Sequence, residues 1–179
     1  MSVTPPFNFQ KWIEENREAL KPPVGNKEVY ACGDFIVQVI GGPNRRNDFH
    51  IDPGDELFYQ VRGEVEVIYL DEDGRRQVAH LRAGDLWLCP AWVPHSPQRG
   101  PHTVGLVVER RRLETEQDRF AWFCDACNSL IHEVSLRVTD IVGQLKVIME
   151  EFYASDAMRT CKKCGAVLPA PKPRGLPSS

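Results

Sequence analysis

Two sets of metal-seeking side chains stand out in this 179-residue sequence. The first lies in two stretches, Gly41 to Gly63 and Gly84 to Arg99, which between them hold His50, Asp52, Glu56 and His95. Imidazoles and carboxylates at strand ends converge inside a small barrel, and two His with one carboxylate on one face of a divalent ion leave positions open for substrate and oxygen. His50, Glu56 and His95 are therefore read together as a metal set. A lone His beside a strand is more often structural or solvated, and His80, His102 and His132 are read that way. The second set is cysteine, in two Cys-x2-Cys pairs, Cys124/Cys127 and Cys161/Cys164 with Gly165 behind the last. Four thiolates at paired spacing suit a closed tetrahedral site with a structural role, and zinc and rubredoxin-like iron share that geometry. Cys32 and Cys89 lie in apolar, strand-like stretches and are read as plain buried thiols.

The elements that must position these groups change texture along the chain. Asn8 caps an N-terminal helix in which Phe9, Trp12, Ile13 and Leu20 recur at helical spacing, and Pro22-Pro23 stops it. From about residue 27 to 112 the pattern is of short strands. They cover Phe35 to Ile40 before Gly41-Gly42, Glu56 to Arg62, the alternating Val65, Val67 and Tyr69, Leu86 to Cys89, and His102 to Arg110. Asp71-Glu72-Asp73-Gly74 is read as a hairpin turn and Arg82-Ala83-Gly84-Asp85 as a second turn. This favours an all-β barrel or sandwich. A charged stretch, Glu114 to Arg119, leads to the first Cys pair. Asp140 is read as the cap of a helix from Ile141 to about Tyr153, with Val142, Leu145, Met149 and Phe152 on one face, and a proline-rich tail closes the chain. The expected division is an N-terminal helical segment (1–24), a barrel (25–112), a four-Cys extension (113–168) and a loose tail (169–179).

Composition narrows the function classes. Lys plus Arg is 22 against 25 for Asp plus Glu, a formal net charge of −3, which argues against a nucleic-acid partner and against a zinc-ribbon reading of the cysteines. No stretch approaches the roughly 18 apolar residues of a membrane span, and Met1 to Pro6 has neither the basic start nor the apolar core of a signal peptide. A cytoplasmic location without membrane partners is expected, and in that reducing setting paired cysteines read as a metal site.

The spacing His50-x5-Glu56-x6-Gly63 and Gly84-x5-Pro90-x-Trp92-x2-His95-x3-Arg99 resembles the two cupin motifs, with departures. Asp52 stands where the first motif has a second His, Trp92 where the second has Gly, and Arg99 where it has Asn. The segments Gly41 to His50, Asp52-Pro53, Phe58 to Gly63, Pro94 to Arg99 and Val107 to Arg110 are similar to those of the 3-hydroxyanthranilate 3,4-dioxygenase family, and the two Cys pairs to its short bacterial form. The resemblance implies a cupin β-barrel, with an N-terminal helix and a C-terminal helix plus four-Cys extension. It also implies Fe(II) held by His50, Glu56 and His95, a second Fe or Zn at the four Cys, and a likeness to a homodimer. The implied reaction cleaves the ring of 3-hydroxyanthranilate with O2, giving 2-amino-3-carboxymuconate 6-semialdehyde, the precursor of quinolinate, in the kynurenine route. By the same resemblance Arg99 binds the substrate carboxylate, Arg46 lies by the substrate and oxygen, and Glu109 bonds the substrate hydroxyl and takes its proton. Asn26, Phe58 and Pro97 line the pocket. Asp48 is read as orienting a ligand or an Arg. Alternatives stay open: another cupin oxygenase, including a His50/Asp52/His95 ligand set of the 2-oxoglutarate oxygenase kind, or a non-catalytic metal-binding module.

Overall fold

The protein is described by a computed structural model over residues 3–22, 25–44, 46–138 and 141–171, with the side chains of 141 and 142 left out. It opens with α1 (Phe9–Glu15), and Asn8 Oδ1 accepts from the Lys11 N–H at 2.9 Å, the N-cap its position foretells. Strands follow in order: β1 (Asn26–Glu28), β2 (Phe35–Gly41), β3 (Phe49–Ile51), β4 (Glu56–Arg62), β5 (Glu64–Leu70), β6 (Arg76–Arg82), β7 (Leu86–Cys89), β8 (His95–Arg99), β9 (Val104–Arg110), β10 (Asp118–Phe123) and β11 (Leu130–Leu136). Helices α2 (Ile141–Ala154) and α3 (Asp156–Arg159) complete it.

The strands form two antiparallel sheets, ordered β1-β2-β9-β4-β7 and β11-β10-β3-β8-β5-β6. Alternation assigns the faces. In the first sheet Glu56, Phe58 and Gln60 of β4 and Val107 and Glu109 of β9 are buried, while Tyr59 is exposed. Phe58, Cys89 and Val107 pack against Val65, Val67 and Leu81 of the second sheet, which makes the barrel core. Helix α1 and the turn that follows it close part of the outer face, where Ile13 of the helix and Leu20 of the turn pack with Val39 and Val104. A third cluster joins Phe120, Trp122 and Ile131 to Phe152 of α2, Leu168, Cys124 and Cys161. There Phe152 stacks on Trp122 with ring centroids 4.2 Å apart and on His132 at 5.6 Å.

Several expectations change. The stretch read as a charged lead-in to the first Cys pair ends in β10, whose Asp118 is fully buried. β10 pairs with β3, Phe120 opposite His50, so the second sheet runs on past residue 112. The last barrel strand starts at Val104, because His102 has φ +61 and cannot continue a ladder. Cys32 is exposed in a bend before β2, so the buried-thiol reading holds for Cys89 alone of that pair. His132 is a packed aromatic partner, and His80 is exposed, 3.6 Å from Glu66. The expected cap Asp140 and the tail from 172 onward lie outside the described residues.

Candidate active site

Adjacent strands bring the three ligand candidates together. His50 of β3 is the cross-strand partner of His95 of β8, and Glu56 opens β4 on the facing sheet. Their ligand atoms lie within 4.8 Å of one another, and all three residues are buried. Glu56 Oε1 sits 3.2 Å from His50 Nδ1 and 3.0 Å from His95 Nε2, yet it has no well-aligned hydrogen bond. A buried carboxylate oxygen facing two imidazole nitrogens without a bonded partner is the donor set a divalent ion needs. The outer ring nitrogens are occupied. His50 Nε2 is 2.7 Å from Asp118 Oδ1, and His95 Nδ1 is 3.0 Å from the Val93 carbonyl and 3.5 Å from Cys89 Sγ. Such partners fix ring orientation and raise ligand basicity. Burial opposes protonation of both rings, but the Glu56 carboxylate overrides it and pushes each pKa up to about 10. The same two rings hold Glu56 well below the usual carboxylate range against its own burial.

Asp52 does not join this set. Its Oδ1 accepts from the Gly54 N–H at 2.6 Å and its Oδ2 from Arg112. Among the described residues, His50, Asp52 and His95 form no convergent group.

Arg112 is a residue that motif reading missed. It follows β9 with its side chain 6% exposed, and its guanidinium reaches three carboxylates: Asp118 through Nε at 3.0 Å and through Nη2, Asp52 through Nη2, and Glu109 through Nη1 at 2.9 Å. One cation thereby ties Glu109 on the first sheet to Asp118, and so to His50, on the second. Glu109 is the register partner of Glu56. Burial first, then the Glu56 charge and the Asp52 contact, raise its pKa well above the carboxylate range, with Arg112 opposing. No spacing signal marks Arg112 or Asp118, because Asp118 is 68 residues from the His it orients.

Two cations complete the interior. Arg99, 1% exposed, extends from β8 on the same alternation as His95, and its Nη1 has no hydrogen-bond partner among the described residues. Burial, and next the nearby Arg46 charge, lower its pKa to about 10. Room for it depends on Gly105, where a Cβ would fall 2.5 Å from Arg99 Nη1. Arg46 is only partly buried and is aimed by Asp48, which accepts from its Nε at 3.1 Å and from its Nη2. Trp92, at the position where the cupin pattern has glycine, adopts φ +66, a left-handed conformation that glycine takes without strain. Its ring carries Arg119 5.5 Å from the centroid.

The four cysteines also converge. Cys124 Sγ and Cys164 Sγ are 3.5 Å apart, Cys127 Sγ and Cys161 Sγ 3.6 Å, and all four lie within 4.8 Å. A tetrahedron with metal–sulfur bonds of about 2.3 Å has sulfurs about 3.8 Å apart, so the cluster fits a closed ion site. Cys127 is drawn down to about 6, first by its hydrogen bond to Ser129, which favours the thiolate.

A family model described as 3-hydroxyanthranilic acid dioxygenase matches residues 1–153. The chain belongs to that family. Among curated relatives, a 3-hydroxyanthranilate 3,4-dioxygenase of Bacillus thuringiensis is 48% identical, covering 91% of this chain and 91% of that one. One of Burkholderia cenocepacia is 47% identical over 97% of this chain and 98% of its own, and one of Xanthomonas campestris 44% over 95% and 96%. A solved cupin-2 domain protein of Shewanella frigidimarina superposes with a TM-score of 0.45 at 15% identity, covering 56% of this chain and 92% of that one. The dioxygenase family model stops before Cys161 and Cys164, whereas the Burkholderia relative aligns over nearly the whole chain.

Proposed function

We propose that the chain is a non-haem Fe(II) dioxygenase that opens the ring of 3-hydroxyanthranilate, both atoms of O2 entering 2-amino-3-carboxymuconate 6-semialdehyde, the precursor of quinolinate, on the kynurenine route to NAD. The observation that carries this reading is the buried donor set His50, Glu56 and His95, with the buried Arg99 on the same strand as His95 and its Nη1 without a partner among the described residues. His50, Glu56 and His95 would hold Fe(II), which would supply Lewis-acid activation of the substrate phenol and the redox chemistry of the O2 reaction. The protein does the rest. Arg99 offers a planar fork to the substrate carboxylate in a dry setting, where such a pair is strongest. Arg46, held by Asp48, supplies a second positive charge near Arg99 and the oxygen position. Glu109, whose carboxylate is held by Arg112 Nη1 at 2.9 Å, bonds the substrate hydroxyl and receives its proton at a carboxylate oxygen. Asn26, Phe58 and Pro97 line the pocket, Phe58 through its edge-on contact with the His95 ring, 5.7 Å between centroids.

The four-Cys site holds a structural Fe or Zn. The location is the cytoplasm, consistent with six cysteines that form no disulfide. The assembly is a homodimer, and neither nucleic acid nor a membrane is a partner. Among the described residues no helix is long and apolar enough to cross a membrane.

The test is oxygen consumption with 3-hydroxyanthranilate by metal-depleted protein, with and without Fe(II). Iron-dependent uptake with appearance of the semialdehyde is expected. Iron-dependent uptake with a different substrate alone points to another cupin oxygenase, and no uptake with any aromatic acid leaves a binding module.

A further inference from the structure

The segment between β2 and β3 carries Arg46 and is fastened on two sides. On the barrel side, Asn44 Nδ2 donates to the Pro97 carbonyl at 2.7 Å, and Asn44 Oδ1 accepts from the Arg99 backbone N–H at 2.9 Å. Gln98 Nε2 donates to the Arg46 carbonyl at 3.3 Å. On the other side stands Asn47, the next residue after Arg46. Its Oδ1 accepts from the Tyr153 hydroxyl, and its Nδ2 donates to the Pro169 carbonyl at 2.9 Å.

Both of those partners belong to the four-Cys region. Tyr153 lies in the last turn of α2, where its oxygen also accepts from Trp122 Nε1 at 3.3 Å. Pro169 follows Leu168, whose N–H donates to the Arg159 carbonyl at 2.9 Å and whose own carbonyl accepts from Arg159 Nη1 at 2.8 Å. Leu168 and Phe152 are buried in one core with Cys124 and Cys161, and Tyr153 packs against it. The short bridge Thr160–Val167 and the bond from Cys161 N–H to the Ala166 carbonyl at 2.8 Å shape the Cys161–Cys164 knuckle that delivers Leu168 to this core. The Asn47 amide thus spends its acceptor and a donor on two segments that the four-Cys core holds side by side.

We propose that Asn47 is a positioning residue through which the four-Cys module sets the affinity of the barrel site for its anionic aromatic substrate. Ordering of Tyr153 and Pro169 fixes Asn47, and Asn47 fixes the backbone from which Arg46 reaches inward. This rests on the reading of Arg46 as a substrate contact. A thiolate site that only stapled the fold would leave substrate binding unchanged when the Asn47 bonds are cut.

Asn47→Ala, Tyr153→Phe, Cys161→Ser and the double variant Asn47→Ala/Cys161→Ser decide the matter. Each is measured for anaerobic binding of 3-hydroxyanthranilate, for KM and kcat, and for metal per chain. Asn47→Ala and Tyr153→Phe keep both metals and raise Kd and KM roughly threefold to tenfold, the effect of about one net hydrogen bond, with a smaller change in kcat. Cys161→Ser loses the thiolate metal and raises Kd similarly, and the double variant is no worse than the weaker-binding single one, because both changes cut the same link. A Kd unchanged in both Asn47→Ala and Tyr153→Phe overturns the proposal, as does full additivity in the double variant. If Cys161→Ser does not fold, the Asn47→Ala and Tyr153→Phe pair, with its cysteines intact, decides alone. Arg46→Ala isolates the underlying reading. A Kd raised by Asn47→Ala but not by Arg46→Ala removes Arg46 from the substrate and keeps the link from module to site.

Discussion

At the scale of single residues, the ligand set makes a protonation claim. In the metal-free protein the Glu56 charge outweighs burial and lifts His50 and His95 to about 10, so both rings are cationic at neutral pH. That contribution to stability is present below the unfolded value of 6.5 and is lost as the pH rises through 10. A divalent ion must displace those protons. Fe(II) or Zn(II) binding at this site is therefore expected to release protons and to tighten as pH rises from 6 to 8, up to about tenfold per unit for each proton displaced. Titrations at three pH values with proton counting check this, and a pH-independent affinity removes the ring pair from the metal. His50→Ala, Glu56→Ala and His95→Ala each abolish turnover and lose that ion while keeping the thiolate one, whereas Asp52→Ala keeps measurable metal. Arg99 is the second residue with a sharp consequence. A bidentate pair with a carboxylate in a dry pocket is worth roughly 2–5 kcal/mol on truncation. Arg99→Ala is expected to lower kcat/KM by about two to three powers of ten with metal content unchanged. A normal kcat/KM takes Arg99 out of the pocket. Gly105→Ala fills the space Arg99 occupies and is expected to act in the same direction.

At the scale of elements, the site depends on a tie between the two sheets. Arg112 holds Glu109, Asp52 and Asp118 at once, and Asp118 holds His50. Removing it leaves three buried carboxylates facing one another without their cation, the costly half of a broken buried pair at about 3–5 kcal/mol. Arg112→Ala is expected to lower thermal stability and loosen the catalytic metal, with Arg112→Lys recovering part of both. Calorimetry beside metal analysis measures it, and a variant as stable as the parent denies the network its role. This tie also shows where legibility ended. The candidate set His50, Glu56 and His95 was readable because its spacing is kept within two short stretches. Arg112 and Asp118 were not, because their partners meet only once β10 pairs with β3. The β10 stretch itself was hidden behind charges, since Asp118 and Arg119 open a strand whose remaining residues, Phe120 to Phe123, make only a short apolar run. The four cysteines were legible in type and spacing, but their link to the Arg46 segment runs through Asn47, Tyr153 and Pro169, which no motif joins.

At the scale of the whole molecule, one face lacks a cover among the described residues. On the outer side of the first sheet, α1 shelters Val39 and Leu106 but not the far strands. There Leu86 and Leu88 of β7 are 64% and 52% exposed, opposite Tyr59 and Leu57 of β4 in the register, and Phe35 of β2 is 60% exposed at the other side. β7 is also the terminal strand of its sheet among the described residues. Exposed apolar side chains on a terminal strand are the kind of surface that a second copy buries. The ligand set points to the opposite, inner face, so assembly and chemistry are separable. Leu88→Glu places a charge where the partner face would exclude water, and Leu86→Asp does so one pleat away. Either is expected to convert a dimer to a monomer in light scattering at micromolar concentration. Glu56 and Cys89, which are also opposed across β4 and β7 but face inward, keep their positions, so metal content and kcat are retained. If the parent protein already runs as a monomer, or if both variants remain dimeric, the interface lies elsewhere and this face needs another explanation.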